Sequence, residues 1–320
     1  MAHNIADNNK VFAVGKMWHG LGTVVDTAQT AKEAITLAKL DYNVKKVDLF
    51  QGETLSGLLK VNDHKAIIRE DTRALMGITT KKYQIVQNTE AFNFFDVIVG
   101  EGQAIYHSAG ALGQGERIWI LAKLPNDIVV NKDDVVEKYL CLTNSHDGKS
   151  ALRMYFTPVR VVCQNTLNMS MQDAKNGLSI RHMGNLNVEI EEARRILGIS
   201  INYYNQFETI VKTMETKEMQ VKELEAYFDK VLGINDEVEA STRKENQKDE
   251  LKVLFENGKG QKTGNRHSLW KAYNAVTEHV DWYKTVKNMD EDKSNKLKNI
   301  WFGTGAKMKE LAYKEAVALL

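Results

Sequence analysis

The hydrophobic periodicity of this chain changes near residue 180. Before that point, short runs rich in Val, Ile and Tyr alternate with turn residues and short helical segments, as in strands joined by tight turns. After it, apolar residues recur at helical spacing, and both prolines, Pro125 and Pro158, lie earlier in the chain. The sequence therefore predicts an α+β fold, with antiparallel β-hairpins and packed helices in residues 1–180 and a mostly helical region in residues 181–320.

Individual elements can be predicted on both sides of this change. Thr30 and Glu33 have the spacing of a capping box, which indicates the start of a helix. Asp147 and Gly148 are the residue types of a tight hairpin turn. We expect strands at 44–50, 64–70 and 83–87, a helix at 90–99, and hairpins at 103–124 and 137–156. Later helices are expected at 188–232, with an interruption at Gly198, and at 242–255, 266–286 and 305–320.

Composition restricts the class of protein. The chain has 320 residues, 43% of them hydrophobic, and carries 43 basic against 42 acidic side chains, which is typical of a globular rather than a disordered protein. Cys141 and Cys163 are too few to cross-link a chain of this length, which favours a reducing compartment. Because no apolar stretch reaches the roughly 18 residues of a membrane span, we expect a cytoplasmic protein without a membrane partner.

The small net charge of +1 conceals an uneven distribution along the chain. Residues 138–182 hold six basic and two acidic side chains, and residues 258–287 hold the same numbers. Between them, residues 208–256 hold 13 acidic and eight basic side chains. Two basic segments thus flank an acidic helical one, a pattern that fits either a phosphate-binding surface or ordinary solvated faces.

A helix with one polar face is expected directly after the second hairpin. Thr157 and Pro158 have the pattern of an N-cap followed by proline at the first helical position. From 159 to 172, apolar and polar residues recur in separate stripes at helical spacing. The sequence therefore predicts a helix that packs one face and presents the other, whose polar side chains are Arg160, Gln164 and Asn168, with Asn165 at the margin.

Motifs for metal, phosphate and nucleophilic chemistry are incomplete. The eight histidines form no His-Glu-x-x-His pattern and the cysteines no Cys-x-x-Cys pattern, so we expect no metal and no cofactor. In the glycine-rich segment 258–264, Gln261 rather than a glycine precedes the Lys-Thr pair, which favours a solvated basic connector over a phosphate loop. Cys163, on the apolar stripe, is expected to be buried, whereas His146, in the Asp-Gly turn, is expected to be exposed.

The basic segment 138–182 has the residue types of a nucleic-acid surface. Cationic side chains neutralise phosphates, and aromatic rings such as those of Tyr139 and Tyr155 can stack on bases. The alternative is that the tyrosines belong to the core and that the Asn and Gln side chains satisfy buried backbone groups. The predicted nucleic-acid-binding residues are His146, Lys149, Arg153, Arg160, Gln164, Asn165, Asn168 and Arg181.

Five strings of the sequence resemble those of a known family. They are WHGLG at 18–22, YQIVQN at 83–88, LTNSHDG at 142–148, FTPVRVVCQNTLN at 156–168 and WKAYNAVTE at 270–278. Together they resemble the phage/plasmid-like protein family, which carries the label domain of unknown function 932. Met17 departs from the proline expected before the first string. The resemblance implies a bacterial mobile-element setting and brings no established activity.

In such a setting, these features favour a non-enzymatic protein that binds nucleic acid, in particular single-stranded DNA, during recombination or replication. The strand-rich half followed by a helix is similar in architecture to ring-forming single-strand annealing proteins of the Rad-fifty-two type, so we expect a homo-oligomer. A second hypothesis is a protein-interaction factor that inhibits a host defence enzyme through the acidic helices at 208–256. A third is a metal-dependent nuclease or hydrolase that uses His19, His146 and Asp147.

Overall fold

A computed structural model describes most of the chain. The described residues are 11–14, 23–25, 30–52, 57–99, 104–150, 152–160, 165–166, 178–179, 186–234, 241–265, 267–286, 296, 299–301 and 303–320. The strands are β1 Val11–Val14, β2 Thr23–Val25, β3 Val44–Gln51, β4 Leu59–Arg69, β5 Leu75–Thr80, β6 Ile105–Leu112, β7 Arg117–Lys123, β8 Ile128–Asn131, β9 Asp134–Glu137, β10 Tyr139–Ser145, β11 Arg153–Phe156, β12 Val159–Arg160, β13 Asn165–Thr166 and β14 Leu178–Ser179. The helices are α1 Ala31–Leu37, α2 Asn88–Ile98, α3 Leu186–Thr216, α4 Val221–Leu232, α5 Thr242–Asn257, α6 Leu269–Glu278 and α7 Thr304–Val317, with a π-helical segment at His279–Tyr283.

These elements confirm the α+β class. Strands and antiparallel pairing dominate the N-terminal half, and helices dominate the C-terminal half. By packing, the chain divides into two compact units, drawn from residues 1–123, 140–155 and 176–197 and from residues 124–139, 156–175 and 198–320. This division describes which segments pack together, whereas the predicted boundary near residue 180 marks where the secondary-structure class changes. The separation into domains at 1–180 and 181–320 stays a prediction.

The first unit is built on two sheets. Within the described residues, a seven-stranded sheet has the order β14-β11-β10-β7-β6-β1-β2, and a three-stranded sheet has the order β3-β4-β5. The capping box predicted for α1 is present, since Thr30 Oγ1 accepts from Glu33 N and the Glu33 carboxylate accepts from Thr30 N. Both α1 and α2 bury apolar side chains, among them Phe92 and Phe95, while Trp119 on β7 is fully buried. These residues form the core of the unit.

The second unit contains the remaining sheet and the C-terminal helices. Within the described residues, this sheet has the order β13-β12-β9-β8. Every residue from Leu269 to Asp281 is buried, so α6 and the start of the π-helical segment are enclosed on all sides. Trp270, Tyr273 and Val276 contribute large apolar surfaces to this core. A helix buried on all sides provides the framework against which the other helices of the unit pack.

Three expected elements differ from the structure. The strand expected at 83–87 is an irregular segment, and the third strand of the small sheet is β5, which precedes it. The helix expected at 159–172 is wrong where the structure describes it: β12 and β13 are strands, with Val159 paired to Thr166 and Arg160 paired to Asn165. The reason is non-local, because β12 also pairs with β9. Gly198, expected to interrupt a helix, lies inside α3.

Candidate functional site

The LTNSHDG string at 142–148 lies at the end of β10, and its residues from Leu142 to His146 are buried in the first unit. Asn144, Ser145 and His146 each have 2% of their surface or less exposed to solvent. His146 Nε2 donates to Asn88 Oδ1 at 2.8 Å, and Asn88 Nδ2 in turn donates to Leu40 O at 2.9 Å. The expectation that His146 is exposed is therefore wrong. The histidine belongs to a buried hydrogen-bond chain rather than to the surface of a turn.

The YQIVQN string at 83–88 is held against the same strand end. Asn144 Nδ2 donates to Val86 O at 2.9 Å, and Tyr83 Oη donates to Ser145 O at 2.8 Å. Together with the bond between Asn88 and His146, these contacts join the two strings at three points. Two segments that resemble family motifs are thus one structural assembly, and the irregular backbone at 83–87 is explained by its bonds to this assembly.

An aromatic and a cationic side chain lie beside His146. The Tyr42 ring makes an edge contact with the imidazole at 6.3 Å between centroids, and the Arg69 guanidinium stacks on the Tyr42 ring at 3.7 Å. Tyr42 Oη donates to Gly115 O at 2.6 Å, and Arg69 pairs with both oxygens of Asp71. Arg69, although 97% buried, is satisfied by this bidentate pair and by Gln114 O. This cluster is a closed packing unit with its charges neutralised.

Burial sets the protonation states in this cluster. It lowers the pKa of His146 to about 4, an effect that Asp147 opposes and Arg69 reinforces. It raises the pKa of Tyr42 to about 12. At neutral pH the imidazole is therefore uncharged and the phenol is protonated. A neutral, enclosed histidine is suited to structural hydrogen bonding and carries no positive charge for a phosphate.

The turn that follows His146 packs closely on the small sheet. The Asp147 carboxylate accepts from Ser145 Oγ and from Lys149 N. A Cβ on Gly77 would meet the Asp147 backbone at 2.7 Å, so β5 approaches the turn at a distance that only glycine allows. Gly148 has φ of +73°. The turn is fixed in place, and Lys149 at its end is exposed.

The structure separates the predicted nucleic-acid-binding residues. Lys149 is exposed and Arg153 on β11 is half-buried, whereas His146 is fully buried. Arg160 and Asn165 lie in the paired strands β12 and β13 and so do not share a helical face. Gln164, Asn168 and Arg181 lie outside the described residues, as do His19 and Cys163.

The predicted surface combines cations with aromatic rings. Among the described residues, Arg153 and Tyr155 keep this combination. They alternate along β11 with Met154 and Phe156, which are buried, while Arg153 and Tyr155 are half-buried on the other face. The Tyr155 hydroxyl is hydrogen-bonded by Arg153 and Thr143, and burial raises its pKa. Tyr139, by contrast, is a core residue, 3% exposed and bonded through its hydroxyl to Glu137. The core alternative is therefore confirmed for Tyr139.

In the second unit, the WKAYNAVTE string at 270–278 is α6 itself, and its polar residues bond to neighbouring segments. Trp270 Nε1 donates to Asp134 Oδ2 at 2.9 Å. Lys271 Nζ donates to Gly260 O at 2.6 Å and to Thr263 Oγ1 at 2.9 Å, and Glu278 accepts from Lys259 N. The segment 258–264 is therefore hydrogen-bonded to two buried side chains, those of Lys271 and Glu278. Lys259 and Lys262 are exposed, as expected of a solvated basic connector, although the segment is hydrogen-bonded to the core. The basic segment 258–287 does not form one exposed patch, because Lys271 is buried.

The acidic segment 208–256 carries much of its charge in ion pairs. Glu208 pairs with Lys212 at 2.6 Å, Asp229 with Lys248 at 2.7 Å and Glu225 with Lys252 at 2.8 Å. Ion pairs at or near the surface contribute little to stability, but they reduce the local field of the carboxylates. The surface invoked by the protein-interaction hypothesis is thus less acidic than the residue count suggests.

Comparison with known families identifies the chain. A family model described as a domain of unknown function (DUF932) matches residues 75–301, more than half of the protein. The chain belongs to the DUF932 family. The matched range contains the DUF932 strings at 83–88, 142–148, 156–168 and 270–278, and it begins after the WHGLG string, which also lies outside the described residues. No curated protein and no solved structure matches the chain.

The described part of this DUF932 protein contains neither a membrane-spanning helix nor a metal-binding cluster of three side chains. No helix there is long and apolar enough to cross a bilayer. No group of three or more His, Cys, Asp or Glu side chains there is arranged to hold a metal ion. The residues that sequence reasoning missed are Tyr42, Arg69 and Asn88, which surround His146. Of these, Asn88 could have been suspected, because it ends one of the strings that resemble the family.

Proposed function

We propose that this DUF932 protein binds single-stranded nucleic acid without catalysing a reaction, through a surface that includes Lys149, Arg153 and Tyr155. We further propose that it acts as an oligomer in recombination or replication of a phage or plasmid, in the cytoplasm of a bacterial host. The observation that carries the proposal is the position of Arg153 beside Tyr155 on the partly exposed face of β11. Non-specific binding of single strands needs this combination of a cation and a stacking ring.

Geometry supports the pairing of these two side chains. Residues two apart on a strand point to the same face, so the guanidinium and the phenol lie side by side. Their hydrogen bond holds the guanidinium beside the ring, and the phenol remains protonated at neutral pH because burial raises its pKa. A phosphate bound at Arg153 would therefore bring the adjoining base close to the Tyr155 ring.

Lys149 extends this surface toward the turn. It is exposed, and its backbone N–H is held by the Asp147 carboxylate at 2.8 Å, which fixes the start of the side chain while the ammonium stays in solvent. His146 is omitted from the proposed surface because it is enclosed and uncharged at neutral pH. The proposed surface therefore contains two cations, Lys149 and Arg153, whereas the basic segment 138–182 holds six basic side chains.

Titration of a fluorescently labelled 30-nucleotide oligothymidine, followed by anisotropy, tests the proposal. We expect binding that weakens as salt is raised, with a slope of the logarithm of the association constant of about −0.7 per phosphate contact. Tyr155→Phe should retain affinity within about twofold, because the ring is kept. Tyr155→Leu should weaken binding by about tenfold, since stacking contributes about 1–3 kcal/mol per base.

A stacking role for the Tyr155 ring requires that the two variants differ. Weakened binding in both Tyr155→Phe and Tyr155→Leu, or unchanged binding in both, would contradict it. Binding that is independent of salt would contradict the proposal as a whole. A preparation that binds the oligonucleotide and also cleaves it in the presence of Mg²⁺ would favour the nuclease hypothesis instead.

A further inference from the structure

The π-helical segment His279–Tyr283 lies among ionisable side chains from other parts of the second unit. His279 Nδ1 lies 3.1 Å from Glu250 Oε1 on α5, and Asp281 Oδ1 lies 2.8 Å from Lys309 Nζ on α7. Two more lysines interact electrostatically with these pairs. The resulting group, which we call the His279 cluster, consists of Glu250, His279, Asp281, Lys284, Lys296 and Lys309. Single π-helical turns are rare and occur frequently at functional sites, which makes the cluster a candidate ligand site.

Two lysines of the His279 cluster form no ion pair with any described residue. Lys296 is 8% exposed, and its Nζ donates to Lys284 O at 2.6 Å. Lys284 is half-buried, and its Nζ contacts Met308 Sδ at 3.8 Å. Burial lowers the pKa of both ammonium groups, to about 8 for Lys296, because removal from water disfavours the charged form. The charge of Arg243 reinforces this effect at Lys284, while at Lys296 the other lysines of the cluster reinforce it and the two carboxylates oppose it. An anion bound beside these two lysines would supply the charge that they lack.

The imidazole of His279 has a hydrogen-bonding atom that is unused within the described residues. The side chain is 2% exposed, and its Nε2 has no hydrogen-bond partner there. Since buried polar atoms are normally hydrogen-bonded, an unpartnered one indicates a position where a ligand can bind. Burial lowers the pKa of His279, an effect that Glu250 opposes and that the two unpaired lysines reinforce. The imidazole is therefore neutral at pH 7, and a bound anion would favour its protonation.

The exposure of the His279 cluster fits a small ion rather than a polymer. Its more exposed members are Glu250, whose side chain is 36% exposed, and the half-buried Lys284. His279 and Lys296 lie deeper, and the imidazole is almost inaccessible to solvent. A phosphate within a nucleic-acid strand would have to bring its neighbouring nucleotides to this depth, whereas a free ion would not. The ligand that the cluster fits is therefore a free anion.

The donors of the His279 cluster match the chemistry of an oxyanion. Such an ion has several acceptor oxygens and can take hydrogen bonds from an imidazole and from two ammonium groups together. Of the two carboxylates in the cluster, one is paired with Lys309 and the other lies at Nδ1 of the imidazole, which leaves Nε2 for the ion. We propose that the cluster binds a small dianionic oxyanion, with the shape and charge of sulfate or phosphate, through His279 Nε2 and the ammonium groups of Lys284 and Lys296. This inference does not depend on nucleic-acid binding.

Proton uptake distinguishes this site from general electrostatic attraction. Nε2 must be protonated to donate to the ion, whereas the free imidazole is neutral above its lowered pKa. Binding should therefore take up about one proton, and the affinity should fall by about tenfold from pH 6.5 to 7.5.

Isothermal titration calorimetry of the full chain with sodium sulfate, at an ionic strength held constant with NaCl, tests the proposal. Sulfate is the probe because its charge is constant over this pH range. We expect one ion per chain, with a Kd below about 1 mM at pH 6.5. His279→Gln should weaken binding by at least about tenfold and remove the pH dependence, because the titrating donor is lost. The matched control is His267→Gln, at an exposed histidine of the same unit, which should bind sulfate like wild type.

A measurement on the wild-type chain covers the case in which His279→Gln impairs folding. Titrations in buffers of different ionisation enthalpy count the protons taken up without any variant. The absence of binding up to about 20 mM sulfate, or binding without proton uptake, would overturn the proposal. Equal weakening in the two histidine variants, or in neither, would also overturn it. Competition by the 30-nucleotide oligothymidine would overturn it as well, because the cluster would then belong to a nucleic-acid surface.

Discussion

Nε2 of His146 lies 2.8 Å from Oδ1 of Asn88, and both side chains are buried although 58 residues separate them in the chain. Asn88 uses its amide nitrogen for Leu40 O, so its oxygen is the acceptor and the imidazole carries its proton on Nε2. This single pair connects α2, the strand end of β10 and the segment after α1. We regard it as the central polar contact of the first unit.

Asn88→Ala should reduce the free energy of unfolding by about 2–4 kcal/mol. The substitution leaves the His146 donor and the Leu40 carbonyl without partners in a buried site, and each such group costs about 1–3 kcal/mol. Urea denaturation of the full chain followed by circular dichroism measures the change. The control is Asn93→Ala, an exposed position on the same helix, which should change stability by less than about 0.5 kcal/mol.

His146 should make the first unit less stable as the pH falls from 7 to 5. Because the folded-state pKa is depressed to about 4 from 6.5, the unfolded chain binds a proton first, and acid favours unfolding. The expected loss by pH 5 is about 2 kcal/mol. His279, whose pKa is also lowered by burial, adds a loss of the same sign. Comparison with His146→Gln isolates the first contribution, and equal pH dependence in both proteins would refute it.

Two glycine substitutions should change stability in opposite directions. Gly77→Ala should destabilise the protein by at least about 1–3 kcal/mol, because the new Cβ would lie 2.7 Å from the Asp147 backbone. Gly198→Ala, in α3, meets no atom within 4 Å and should stabilise the protein by about 0.5–1 kcal/mol through helix propensity. Thermal unfolding of both variants beside wild type gives the comparison. Similar changes in both would contradict the close packing of β5 on the turn.

The buried ion pair of the second unit should behave as a coupled unit. Lys309 Nζ lies 2.8 Å from Asp281 Oδ1, and both side chains are essentially inaccessible to solvent. Asp281→Asn or Lys309→Met alone should cost about 3–5 kcal/mol, whereas the double variant should cost less than either. A double-mutant cycle from denaturant unfolding measures the coupling. The exposed pair of Lys212 and Glu208 is the control, with a coupling below about 1 kcal/mol.

Local signals predicted the elements that depend on neighbouring residues. The Thr30–Glu33 capping box, the hairpin of β6 and β7 and the helices after residue 186 all follow from spacing, turn residues and helical periodicity. Such patterns are determined by contacts a few residues apart, so one segment of sequence contains the necessary information.

Non-local contacts explain the predictions that failed. The stripes at 159–172 resemble a helix, but β12 pairs with β9, more than 20 residues earlier, and that pairing overrides helical spacing. The sequence predicts an exposed turn at His146, because Asp147 and Gly148 follow it. Its burial depends on Asn88 and Tyr42, which no local pattern connects with it. Of the eight predicted binding residues, His146 is enclosed and Arg160 and Asn165 lie in paired strands, while Gln164, Asn168 and Arg181 lie outside the described residues. The proposed surface therefore keeps Lys149 and Arg153 and includes Tyr155.

The proposed function depends most directly on Lys149 and Arg153. The double variant Lys149→Ala/Arg153→Ala should bind labelled oligothymidine at least tenfold more weakly than wild type at low salt, with a salt slope reduced by about 1.4, because two phosphate contacts are lost. The matched double variant Arg73→Ala/Lys82→Ala removes one exposed arginine and one exposed lysine elsewhere in the first unit, and should bind like wild type. Equal affinity and equal salt slope in the two double variants would contradict the account.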